Sequence, residues 1–145
     1  MRRSLPSLAL LIALATGCVG PARTTSAYRD KAVETASTAV GAARTVLLVA
    51  QVGDQQRSFA PTIAVTVADA ENDAASALAA FTSIQPPDAV SDALRAELLP
   101  DVQRIVDDIG LVRIAARRAS DQLTDVAAPL EEPADQLDAF AERYG

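Results

Sequence analysis

Few side chains in this chain could do chemistry. There is one thiol, Cys18, and one lysine, Lys31; histidine and tryptophan are absent. The thiol stands directly behind an apolar run: Arg2 and Arg3, then Leu5 to Ala13, then Leu14-Ala15-Thr16-Gly17-Cys18. A positive start, about ten apolar residues and small residues before a cleavage point are the layout of a secretory signal. Cleavage between Gly17 and Cys18 makes the cysteine the first residue of what remains.

Leu14 to Cys18 resembles the lipobox of bacterial lipoproteins. Small residues fill the positions before the cysteine, with Ala15 where leucine is favoured and Leu14 one place further out. The resemblance covers residues 1–18 and implies that the Cys18 thiol carries a diacylglyceryl group, with palmitate-type chains, and that the new amino terminus is often acylated too. It also implies an address: the outer face of the bacterial cell membrane. Two other readings fit less well. A free cysteine is often a small buried hydrophobe, but Val19-Gly20-Pro21 offers it no core to enter. An uncleaved span needs roughly 20 apolar residues, whereas Leu5 to Gly17 supplies 13 and includes Pro6.

The remaining residues point away from catalysis. With no histidine, and the one thiol given to acylation, zinc and the glutamate/histidine di-iron pattern lack their ligands. No loop has acids and a glycine spaced for calcium. Nucleophilic catalysis lacks a histidine base, serine with lysine is not credible with Lys31 alone near the tether, and the six glycines form no phosphate-cradling cluster. The expectation is a protein with no cofactor, no metal and no enzymatic activity. One basic patch stands out, Arg113, Arg117 and Arg118. Its simplest reading is a solvated edge paired with Asp121 or with acids of neighbouring helices, and its functional reading is a docking point for an anionic headgroup or an acidic partner.

Removing residues 1–17 takes away Arg2 and Arg3, leaving 11 basic against 19 acidic residues and a net charge of −8 over 128 residues. So acidic a chain is repelled by phosphate backbones, which argues against nucleic acid as a partner. Anionic membrane surfaces repel it as well, so acyl chains must do the tethering. A lone cysteine permits no internal disulfide. Stability must come from packing.

Residues 18–26 read as an acylated cysteine and tether, since Val19 to Ser26 extended reaches only about 26 Å. Thr25 or Ser26 is an N-cap candidate for a first helix over 26–56. Its apolar residues Val33, Ala36, Val40, Ala43, Leu47 and Ala50 recur every 3 and 4 positions, the spacing of one face against a partner helix. Gly53 and the polar run after it close this helix. A second helix opens at Pro61 and carries Ile63, Val67, Ala70, Ala74, Ala77, Phe81 and Ile84, with Asp69, Glu71 and Asp73 on a solvated face. Pro86-Pro87 ends it.

Asp88 or Ser91 caps a third helix bearing Val90, Leu94 and Leu98, which Pro100 should kink or split; a kink is the expectation. From Val102 the stripe continues through Ile105, Ile109, Val112, Ala116, Ala119, Leu123, Val126 and Leu130 without a polar intruder. Pro129 to Pro133 reads as a turn. A short last helix, with Asp135 in its first turn and Leu137, Phe140 and Tyr144 on its face, should fold back over one end.

Short connections between helices favour antiparallel neighbours. Residues 27–145 are therefore expected to form one all-α domain, an antiparallel up-down bundle of three long helices plus a short fourth. The functional expectation is a membrane-anchored, non-catalytic accessory, scaffold or protein-interaction module of the cell envelope, partnered by another envelope protein. The alternative is a binding protein for a lipid or other small apolar ligand held between helices.

Overall fold

The computed structural model describes residues 22–55 and 60–145. Cys18, Gly17 and the leader lie outside the described residues, as does the start of the tether. The described chain is all-helical, a bundle of packed helices. α1 is Thr25–Gln55, α2 Ala60–Thr82, α3 Ala89–Arg117, α4 Leu123–Ala127, followed by a 3-10 turn at Ala128–Leu130 and α5 at Glu131–Tyr144.

α1 begins at Thr25 and is capped by Thr24, one residue before the earlier of its two expected caps. The Thr24 hydroxyl accepts from the Ala27 N–H at 3.2 Å and the Thr24 carbonyl from Tyr28 N–H at 3.0 Å, which satisfies donors that the first turn leaves without partners. Its buried face is wider than the single stripe read from spacing. Ala36, Val40, Ala43 and Ala50 are buried as expected, but so are Tyr28, Ala32, Ala39, Ala42 and Val46, while Val33 and Leu47 sit at the margin. The reason is that α1 packs against α2, α3, α4 and α5, not against one partner. By length and composition α1 is apolar enough to cross a membrane, with a window of mean hydropathy 1.2 that is 39% buried among the other helices.

Gly53 lies within α1 and does not end it. A methyl group there would come within 2.8 Å of Leu123 Cδ1 and 3.1 Å of Ile63 Cδ1, so the missing side chain is what lets three helices meet. At the opposite end of α1, the Tyr28 and Phe81 rings lie 5.1 Å apart. The α2 stripe is buried as its spacing requires: Ile63, Val67, Ala70, Ala74, Phe81 and Ile84 are in the core and Ala77 is half-buried.

α3 opens on Asp88, whose extended backbone lets a carboxylate oxygen accept from Ser91 N–H at 2.8 Å. It runs continuously through Pro100, so the split is not realised; the proline leaves only the Ala96 carbonyl without its helical donor. Leu94, Leu98, Val102, Ile105, Ile109, Val112 and Ala116 are buried, but Val90 is 61% exposed and does not join the core.

The long stripe does not lie on one helix. α3 stops at Arg117 through a Schellman arrangement: Ser120 N–H bonds the Ala115 carbonyl at 3.2 Å and Ala119 N–H the Ala116 carbonyl at 3.0 Å. Ala119 takes the left-handed place of that motif, with φ 52°, and is exposed. The Asp54 carboxylate at the end of α1 then caps the new helix, accepting from the N–H groups of Leu123 and Thr124 at 2.9 Å each. Leu123 and Leu130 still reach the core, carried there by a redirected chain.

α5 begins at Glu131, earlier than expected, because Pro133 falls in its first turn, where no intrahelical donor is needed. It does not fold over one end. It lies along α1 and α3, with Arg44 to Asp135 at 2.5 Å, Arg104 to Glu132 at 2.9 Å and Arg143 to Glu97 at 2.6 Å.

Candidate functional site

Of the basic patch, Arg113 is removed from solvent and committed. Its guanidinium is paired with Glu71 of α2, and the two side chains are 26% and 23% exposed. Glu71 therefore does not belong to the solvated face on which its neighbours Asp69 and Asp73 remain. Arg117 and Arg118 are exposed at the end of α3. Among the described residues no group of three or more histidine, cysteine, aspartate or glutamate side chains could hold a metal ion.

Residues that spacing did not mark gather where α2 ends. Pro86 and Pro87 have no N–H to return to the last carbonyls of α2. The guanidinium of Arg95 on α3 supplies the missing donors, reaching the Thr82 carbonyl at 3.0 Å and the Ile84 carbonyl at 2.8 Å. Tyr28 lies beside it with its ring wholly buried against Phe81. Burial pushes the Tyr28 hydroxyl above its usual range, and the nearby Arg95 charge partly offsets this. The double proline was the signal for this cluster: a helix ended by two prolines needs side-chain donors.

Next to it the surface is concave. An open cleft of about 440 Å³ lies between the first turn of α1, the start of α3 and the end of α5. Val90, Ala93 and Leu94 give it apolar walls, and Thr25, Ser26 and Arg29 a polar rim. Glu97 at its edge is held by Arg143 at 2.6 Å and by the Tyr144 hydroxyl at 2.9 Å. A smaller cleft of about 260 Å³ runs between α1 and α2 beside Phe81, under the Lys31–Glu34 ion pair.

No protein-family model, no curated protein and no solved structure matches this chain.

Proposed function

We propose that this chain is a lipoprotein held on the outer face of a bacterial cell membrane by acyl chains on Cys18, after removal of residues 1–17. Its helical body is a non-catalytic accessory or interaction module of the cell envelope that engages another envelope protein. The observation that carries the reading is the Leu14-Ala15-Thr16-Gly17-Cys18 stretch behind an apolar leader. In support, helical structure begins at Thr25, only seven residues past the cysteine, so an anchored body is kept near the bilayer. The absence of histidine and the single lysine support a non-catalytic role.

For the body we propose an antiparallel up-down order of α1, α2, α3 and α5. The pairing of Tyr28 with Phe81 and the approach of Ile63 to Gly53 support opposite directions for α1 and α2. Contacts of Arg113 with Glu71 and of Glu97 with Tyr144 support the same alternation for α2, α3 and α5.

Detergent phase partition of cells making the full chain tests the proposal. The native protein should enter the detergent phase, and Cys18→Ala should leave it for the aqueous phase; equal partition of the two would overturn the anchor. A second reading, an apolar ligand held between helices, has the α1–α2 cleft in its favour. Native mass spectrometry after membrane lipid has been exchanged for detergent separates the two, because an apolar molecule still retained beyond the Cys18 modification belongs to the second.

A further inference from the structure

Resting on the lipoprotein reading, we infer that the end of the bundle bearing Thr25, Arg29, Val90 and Tyr144 is seated on the phospholipid surface, with the Val90 cleft taking lipid. Four observations meet there. The chain between Cys18 and Thr24 spans at most about 20 Å, so an anchored cysteine brings this end, and not the other, to the bilayer. Val90, in the first turn of α3, is 61% exposed and stands beside a cleft of about 440 Å³ walled by Ala93 and Leu94. An apolar side chain left out of the core at the point nearest a membrane is where acyl and glycerol groups would be met.

Charge agrees with this placement. The mature chain is acidic overall, but the carboxylates nearest the cleft are engaged: Glu97 is held by Arg143 and the Tyr144 hydroxyl, Asp88 accepts from the Thr25 hydroxyl and Ser91 N–H, and the exposed Arg29 stands at the rim. Arg29 thus offers a cation at the rim for a lipid phosphate, with apolar walls behind it. The other exposed apolar residues do not share this position. Leu111 is 58% exposed but lies 22 residues along α3 from Ala89, about 33 Å up the helix, and beyond what the tether allows if the bundle stands on this end.

The test uses the full-length acylated protein in phosphatidylcholine vesicles that contain brominated lipid as a quencher. A fluorophore is placed on Val90→Cys in one sample and on Leu111→Cys in another, both at exposed positions that the fold does not need. Quenching several-fold greater at 90 than at 111 is the expected result. Equal quenching, greater quenching at 111, or none at 90 overturns the inference. Mass analysis of the amino-terminal peptide is read on the same samples. Acylated, vesicle-bound protein with a dry Val90 defeats this orientation alone and leaves the anchor standing, whereas unacylated, unbound protein defeats the anchor and the orientation together.

Discussion

The Arg113 guanidinium of α3 and the Glu71 carboxylate of α2 are paired where each side chain is about three-quarters buried. The pair links two helices that Arg95 also joins through the Thr82 carbonyl. Removing one member leaves the other charge partly desolvated, which costs more than the pair itself contributes. Glu71→Gln should lower stability by about 1–2 kcal/mol in urea titration, and Arg113→Gln in that background should add little. Arg117→Gln and Arg118→Gln, both exposed, should each stay within about 0.5 kcal/mol of the parent. Equal effects at 113 and 117 would contradict the pairing.

The core is weighted toward α3, where Leu98, Val102, Ile105, Ile109 and Val112 are fully buried. Ile109→Ala should cost about 2–5 kcal/mol, the transfer of the lost methyl groups plus the cavity they leave. Ile109→Asp should unfold the domain, because an unpaired charge has no compensation there. Circular-dichroism melts check both. A cooperative Ile109→Asp melt at the parent Tm would mean that this face is not the buried one.

Ala119 sits at φ 52°, a conformation that costs a residue with a Cβ roughly 1–2 kcal/mol. Glycine removes that strain while giving back part of the gain as freedom in the unfolded chain. Ala119→Gly should therefore stabilise the protein by about 0.5–1 kcal/mol, read as a higher urea midpoint at unchanged slope. Destabilisation would contradict the Schellman ending of α3.

Asp88 titrates below the usual 3.8, chiefly because the Thr25 hydroxyl donates to it and secondly because Ser91 N–H does. A carboxyl group with a lowered folded pKa contributes stability that is present above the unfolded value and lost as pH falls through the folded one. The Tm gap between the parent and Asp88→Asn should be constant from pH 7 to about 5 and close below 3.8. A gap that widens on acidification would contradict the assignment.

The helices that meet partners through regular seams were legible, because the 3 and 4 spacing of Ile63 to Ile84 and of Val102 to Ala116 leaves one face apolar. The breadth of the α1 face was not, since Tyr28, Ala39 and Val46 bury only because α1 has several neighbours. The end of α3 was hidden by an alanine in the place where glycine normally marks a Schellman motif. Leu123 and Leu130 continued the stripe in sequence although the chain had turned. Pro133 read as a turn because a proline in the first turn of a helix looks the same in sequence as one that breaks it. The Arg95 clamp could have been suspected from Pro86-Pro87, but which arginine would supply the donors depends on how α3 packs on α2. Val90 read as core from its spacing and faces the cleft.

The anchor is tested most directly by the mass of the amino-terminal peptide of the protein taken from the membranes of cells that produce it. The account predicts a peptide that begins at Cys18 and carries a diacylglyceryl group on sulfur. A peptide beginning at Met1, or a Cys18 whose thiol is free, would contradict it.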